Sequence, residues 1–356
     1  MKHGIFYPAE WHSQSGVQLT WPHAETDWQY CLDEITETFL QLAKAIAQHE
    51  HLLVVCPNVM DVRVQLSQRL TAEEMHRVLF CHCPTNDTWA RDHGAITLLR
   101  PTPDGEEPLL LDFKFNGWGE KFPSFLDNAI TCEIANHGLF HAPVADHTDF
   151  VLEGGAIETD GEGTIFTTSA CLLAPHRNQP LSQKEIECYL IDTLHANRVV
   201  WIDHGTLIGD DTDGHIDTIV RCAPKNTLLY VGCDDPSDEQ YADFMALKRQ
   251  LQSLRTRQGA PYSLLRLPMP QPLYEDGQRL PATYANFLVI NGAVIVPTYR
   301  QPSLDTLAID TIAQAFPDRE MIPIDATTVI RQHGSLHCLT MQYPDGVLVK
   351  PNPINI

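Results

Sequence analysis

Two rhythms alternate along the chain: short runs rich in β-branched and aromatic residues, and longer stretches with the apolar spacing of an amphipathic helix. The first fits strands and the second helices. Residues 16–22 read as a strand, 32–50 as a helix and 52–56 as a buried strand. A short helix at 62–70 and a strand at 78–83 follow. Strands at 95–99 and 109–113 flank the turn Pro103-Asp104-Gly105, which makes a hairpin. That order then returns. A helix at 125–137 leads to an extended segment at 139–142. Glu153-Gly154-Gly155 opens a strand, Asp160-Gly161 turns it, and 164–168 runs back. A helix at 183–196 and a strand at 199–202 precede a hairpin of 215–221 and 228–231. Next come a helix at 239–257, a strand at 263–267, and a hairpin of 284–290 and 293–296 turning on Asn291-Gly292. A helix at 304–316, a strand at 321–324 and a last strand at 335–341 end the series.

Hairpin, helix and strand thus recur about five times, in order rather than in identical segments. One polar residue marks the start of a strand in each unit: Asp92, Glu153, His215, Asn286 and Cys338, at steps of 61, 62, 71 and 52 residues. Near-even spacing at one place in each unit is what a radial repeat gives, with every unit bringing a polar group to a shared axis. A mixed α/β sheet is the commoner architecture but leaves those polar positions unexplained. No Gly/Ser- or Pro-rich linker divides the chain, and the prolines at 268–272 fill only a loop, so residues 1–356 are expected to form one domain.

Composition narrows the partners. The 356 residues are 43% hydrophobic, which is ordinary for a globular chain with a large core. With 46 acids against 24 bases the net charge is −22, which argues against nucleic acid and anionic membrane and suits small cations. The ten cysteines are irregularly spaced, the N-terminus lacks a signal-like apolar region, and no apolar run is of membrane-spanning length. A cytoplasmic protein with reduced thiols is expected.

The densest chemistry lies in Gly209-Asp210-Asp211-Thr212-Asp213-Gly214-His215-Ile216-Asp217. Carboxylates so crowded repel one another unless a cation offsets them. The apolar residues that follow suggest a loop entering a strand, in which His215 and Asp217 would share a face. Asp92 follows Trp89 by three residues, and an aromatic face beside an acid suits a planar cation. Glu153 precedes two glycines, which allow a close backbone approach. Trp118 stands between Gly117 and Gly119 as a pocket wall or a packed anchor. Cys338 has a histidine beside it; as a nucleophile it needs a nearby cation or donor to favour the thiolate, since a free thiol ionises near pH ~8.5. Metal readings are weaker. Cys81-His82-Cys83 lacks a second pair at zinc-like spacing, and the acidic run lacks an EF-hand's closing glutamate, with Arg221 in that place.

Together these motifs resemble a known family. Trp-x-Arg-Asp at Trp89, Leu-Glu-Gly-Gly-x-Ile-Glu at Leu152, Asp-Asp-Thr-Asp-Gly-His-Ile-Asp at Asp210, Tyr-x-Asn-Phe at Tyr284 and His-Cys-x-Thr at His337 resemble, in this order, the agmatine deiminases of the bacterial-type peptidylarginine deiminase group within the guanidine-modifying pentein superfamily. The likeness runs from Trp21 to about Pro344. It implies a five-bladed pseudo-symmetric α/β propeller (pentein) of repeated ββαβ-type units. It also implies hydrolysis of agmatine to N-carbamoylputrescine and ammonia, with Cys338 as nucleophile and a covalent thiouronium intermediate. By the same resemblance His215 is the general acid/base, Asp92 and Asp217 grip the guanidinium, and Glu153 pairs with His215 or the substrate. Trp89, Trp118, Asp211 and Asn286 belong to the substrate site. No metal or organic cofactor is implied, and homo-oligomers are. Two departures stand out. The family's glycine run before the cysteine is here Gln332-His333-Gly334-Ser335-Leu336, and Lys114-Phe115-Asn116-Gly117-Trp118 occupies the place where the peptidylarginine branch carries arginines.

Other readings make different demands. A deiminase of arginine or C-terminal peptidylarginine needs a cationic clamp for a carboxylate. A metal-dependent hydrolase on His215 and Asp217 would be indifferent to Cys338. A guanidine- or polyamine-binding protein would bind without turnover, which leaves the Cys–His–carboxylate set without a role.

Overall fold

Among the described residues, five sheets of three or four strands carry the chain, beside a two-stranded ribbon of Tyr274–Glu275 and Gln278–Arg279, and the last strand lies beside the first. The computed structural model describes residues 4–350. In the first sheet Thr340–Pro344 runs antiparallel to Gln14–Thr20, which continues in parallel to His51–Cys56 and Val78–His82. The second joins Ile96–Thr102, Gly105–Lys114 and Val144–Val151. The third joins Ile157–Thr159, Thr164–Thr168 and Arg198–Ile202. The fourth holds Val220–Ala223, Thr227–Gly232 and Ser263–Pro268. Leu288–Ile290, Ala293–Thr298 and Glu320–Asp325 make the fifth.

Each sheet repeats one unit, an antiparallel pair followed by a parallel strand. A parallel neighbour needs a crossover, and a helix supplies it: Leu32–His49, Ile130–Asn136, Gln183–Thr193, Tyr241–Ser253 and Pro302–Ala315 in turn. The first of these buries Ile35, Phe39, Leu42, Ala43 and Ile46, a stripe at helical spacing that packs into the core.

Hydrogen bonds at the strand starts close the five units into a ring. Arg91 N donates to Cys338 O at 3.1 Å, joining the first sheet to the second. Gly155 N donates to Asp92 Oδ1 at 3.0 Å, joining second to third. Cys222 N reaches Glu158 Oε2 at 3.0 Å, and Thr283 Oγ1 reaches Thr218 O at 2.6 Å. His337 N donates to Asn286 O at 3.2 Å and completes the circuit. The fold is a five-bladed α/β propeller.

Three sequence expectations shift. His215 and Asp217 are not on a strand: His215 caps a 3₁₀ turn at Ile216–Thr218, and the strand starts at Val220. Asp92 likewise sits on a single helical turn, Ala90–His93, while Glu153 precedes another 3₁₀ turn at Gly154–Ala156. The extended segment expected at 139–142 is not a sheet strand; Phe140 makes one bridge to Leu348, and the strand is Val144–Val151. The last strand is Thr340–Pro344, and residues 335–339 lie in turn and irregular backbone before it.

Candidate active site

Five short segments ahead of the five hairpins deliver the polar residues to one place. A strand start that first makes one helical turn swings its side chain off the sheet and toward the axis. Glycines make the close approach feasible. A Cβ on Gly155 would lie 2.5 Å from His215 Nδ1 and 2.9 Å from Asp92 Oδ1, so only glycine lets these two groups meet over it.

Asp92 is buried. Its Oδ2 accepts from Trp118 Nε1 at 2.9 Å and its Oδ1 from Gly155 N at 3.0 Å. Trp118 is itself in the left-handed region, at φ 55° and ψ 49°, on a turn where Gly117, Gly119 and Glu120 also have positive φ. A tryptophan there is strained, and the indole-to-Asp92 bond is one contact that holds it. Burial, then the charges of Asp217 and Glu153, push the Asp92 carboxyl well above the usual range.

Asp217 behaves differently. Its Oδ2 faces His337 Nδ1 at 2.7 Å and accepts from Asn286 Nδ2 at 3.1 Å, while its buried Oδ1 has no hydrogen-bond partner. Burial alone would raise this carboxyl, but the His337 hydrogen bond and charge outweigh it and hold the group below its ordinary value. The two buried acids therefore differ, one disposed to be neutral and one to be charged.

Cys338 Sγ lies 3.4 Å from Asn286 Oδ1 and 4.0 Å from Asp217 Oδ2. Burial, Asp217 and Asp92 raise its thiol well above the usual value. His215 Nδ1 stands 3.7 Å from Asp92 Oδ1, beyond a hydrogen bond, and both ring nitrogens lack partners. Burial depresses its imidazole to about 3. Without a ligand the pair is thus thiol and neutral imidazole. A bound cation would offset the carboxylates and favour the thiolate, with His215 free to take its proton.

Glu153 is fully buried, and burial raises its carboxyl against the opposing charge of Arg177. Arg177 Nε is 2.7 Å from Glu153 Oε1, and its Nη1 is 2.8 Å from Asp213 Oδ2. Lys121 Nζ reaches Asp213 Oδ1 at 2.8 Å. The acidic run therefore divides its labour. Asp213 binds Arg177 and Lys121, Asp210 caps its own loop through Thr212 Oγ1 and Gly214 N at 2.6 and 2.7 Å, and Asp211 lines the pocket.

That pocket holds about 140 Å³. Trp89, Phe115, Trp118 and Phe122 form its aromatic wall, and Asp92 and Cys338 also line it. Five further acids face it (Glu25, Asp27, Asp87, Asp127 and Asp211), and no lysine or arginine is among its lining residues. Lys114 is exposed and is not among the lining residues. Asn286, expected at the substrate, is, like His215, Asp217 and Glu153, fully buried and not among the lining residues, and its Oδ1 is 3.4 Å from the Cys338 sulfur. That oxygen accepts from the backbone N–H of His337 at 2.9 Å and of Cys338 at 3.2 Å, so it fixes the loop that carries the thiol. Sequence reading missed Arg177, a lone arginine in the loop segment Pro175-His176-Arg177-Asn178, and Glu10, a lone acid in Pro8-Ala9-Glu10-Trp11.

Glu153, Cys171 and His215 are the one trio among the described residues with ligand atoms close enough to suggest a metal, all within 4.8 Å of one another. A tetrahedral zinc with bonds of roughly 2.0–2.3 Å needs its donors within roughly 3.8 Å of one another. Arg177 Nε lies 2.7 Å from Glu153 Oε1, so one oxygen of the trio's carboxylate is already paired.

A thiol, an imidazole and paired carboxylates at the axis of an α/β propeller define a guanidine-modifying hydrolase. Residues 6–344 match the Porphyromonas-type peptidyl-arginine deiminase family, and the chain belongs to it. It is 36% identical to a Legionella pneumophila protein named "putative agmatine deiminase", over 96% of each chain. Among solved structures it is similar to a Porphyromonas gingivalis protein described as a putative arginine deiminase, with 50% identity, a TM-score of 0.90, and coverage of 97% of this chain and 100% of that one. It is also similar to a cysteine-to-serine variant of C. jejuni agmatine deiminase with substrate bound, with 36% identity, a TM-score of 0.87, and coverage of 96% and 97%.

Proposed function

We propose that the protein hydrolyses agmatine to N-carbamoylputrescine and ammonia. The observation that carries this reading is a pocket lined by the Cys338 thiol, the Asp92 carboxyl and five further acids, with no lysine or arginine, and with Asp217 Oδ2 4.0 Å behind the thiol. Such a wall suits a substrate with a cation at each end and offers no partner to an α-carboxylate. Asp92 and Asp217 hold the guanidinium, and Asp211 receives the terminal ammonium. The Cys338 thiol passes its proton to His215, and the thiolate attacks the guanidinium carbon. The C–N bond breaks, and ammonia leaves with the proton from His215. A water then gives a proton to His215 and attacks the thiouronium carbon. The C–S bond breaks as the carbonyl forms, releasing the carbamoyl product. His215 returns its proton to the leaving thiolate, and the hydroxyl proton of the adduct passes to solvent, where it converts the released ammonia to ammonium. No cofactor takes part. Relatives named agmatine deiminase support the substrate. The ten cysteines, none disulfide-bonded, suit a reducing cytoplasm, and no helix among the described residues is long and apolar enough to cross a membrane. The strand from the C-terminal end completes the first sheet, which supports one domain.

The test is ammonia release from agmatine and from arginine, with wild type and Cys338→Ser. Release from agmatine by wild type alone, with the variant still folded by circular dichroism, is expected. A fully active serine variant would remove Cys338 as nucleophile, and equal kcat/KM with arginine would sink the diamine-like reading of the pocket.

A further inference from the structure

Beneath Cys338 runs a buried chain of charged groups that the reaction above does not use. It starts at Glu158 in the third sheet, passes through Arg221 in the fourth and Glu10 ahead of the first strand, and ends on His337 and Asp217. Glu158 Oε1 pairs with Arg221 Nε, and Arg221 Nη2 reaches Glu10 Oε2 at 2.6 Å. The guanidinium also donates to the carbonyls of Ala285 and Phe287 and lies over the Phe287 ring at 4.5 Å. Glu10 is fixed further by Val289 N, which donates to its Oε1 at 2.7 Å. Its Oε2 is 2.8 Å from His337 Nε2, and the other ring nitrogen, Nδ1, is 2.7 Å from Asp217 Oδ2.

The imidazole is thus clamped between two carboxylates, each of which an N–H can satisfy. The far one is immobilised by Arg221 and a backbone amide. The near one is Asp217, with Oδ2 occupied and Oδ1 left without a partner. A carboxylate held this way cannot rotate to exchange its oxygens without breaking two hydrogen bonds, so the free oxygen always presents the same way. Groups bonded across blades are commonly structural glue, and Arg221 fits that description. His337 does not, because its only side-chain function on the near side is to orient and charge Asp217.

We propose that His337 is a positioning residue for the reaction: it fixes the Asp217 carboxylate with one oxygen free for the guanidinium, and Glu10 fixes the ring. The inference rests on Asp217 gripping the substrate. It also gives roles to Glu10, Glu158 and Arg221, three charged groups outside the reaction.

The distinguishing measurement is kcat/KM for agmatine against pH. The groups facing Asp217 are His337, His215, Arg221, Cys338 and, across the pocket, Asp92; those facing His337 are Asp217, Glu10, Arg221 and Glu158, with Arg91 Nε 3.5 Å from its carbonyl. Replacing His337 by leucine leaves a buried carboxylate without its donor, so Asp217 protonates at higher pH. KM should rise, and the acid limb should move up by about one pH unit or more. His337→Asn should bring most of the limb back, because an asparagine amide N–H can stand where Nδ1 stood. A purely structural role predicts a loss equal at all pH values and no difference between the two variants, and that result would overturn the proposal. Should the leucine variant not fold, Glu10→Ala frees the other end of the ring; a smaller shift of the limb in the same direction is expected, and an unmoved limb refutes the assignment. Wild type inert toward agmatine would instead sink the substrate reading.

Discussion

Gly334 lies flat against Trp89: a Cβ there would be 2.1 Å from ring atom Cζ3 and 2.5 Å from Cη2. The backbone of Gly334 is not left-handed, so space rather than dihedral freedom requires the glycine. Gly334 stands four residues before Cys338, on the loop that carries the thiol. Gly334→Ala must push Trp89 away or shift the loop of Cys338. Overpacking of this kind costs roughly 1–3 kcal/mol. The expected outcome is a lowered melting temperature and a KM for agmatine raised about tenfold, a factor worth ~1.4 kcal/mol. A variant with wild-type KM would show that Trp89 is not a wall of the substrate site.

The thiol and Asp217 are coupled by charge. Burial and the carboxylates of Asp217 and Asp92 hold Cys338 protonated in the free protein, so alkylation by iodoacetamide should be slow at pH 7 and accelerate past pH 9. The sign for Asp217→Asn follows directly. Removing an anion beside a thiol lowers its pKa, so the variant should alkylate faster at pH 8 while its turnover falls by about a thousandfold. Faster labelling with slower turnover separates loss of the substrate grip from general damage. Equal or slower labelling would show that Asp217 does not set the charge around Cys338.

The repeat was legible because each crossover helix and hairpin carries its own periodicity, and because one polar residue recurs at each strand start. His215 lies 3.7 Å from Asp92 and within 4.8 Å of Glu153, and Asp92 and Cys338 line the cavity together with Trp89, Trp118 and Asp211. The turns that aim the polar residues were not legible. Four residues such as Ala90–His93 span barely one helical turn and leave no pattern to read. Val144–Val151 was missed for another reason. It is an edge strand with Asp146, Thr148 and Asp149 exposed and His147 half-buried, so its composition reads as loop, while the more apolar 139–142 packs beside the C-terminal segment. Glu10 and Arg177 left no signal, since an isolated charge gains meaning only from the partner that the fold brings to it.

The choice between a substrate ending in an ammonium and one ending in a carboxylate turns on Asp211. It lines the pocket, and burial raises its carboxyl against the opposing charges of His333 and Lys121. Lys121 Nζ donates to the Asp211 backbone carbonyl at 2.5 Å and pairs with Asp213, which leaves the Asp211 side chain for a ligand. Butylguanidine has the length of agmatine without its ammonium, so it reports on the guanidine end alone. For Asp211→Asn, kcat/KM with agmatine should fall by about 1.5–3 kcal/mol, the range of a hydrogen bond to a charged group. With butylguanidine the same variant should match wild type. An equal loss on both compounds would place Asp211 in the catalytic loop's support, and no loss on either would assign the ammonium to another acid of the mouth, with Asp87 and Asp27 next to be replaced.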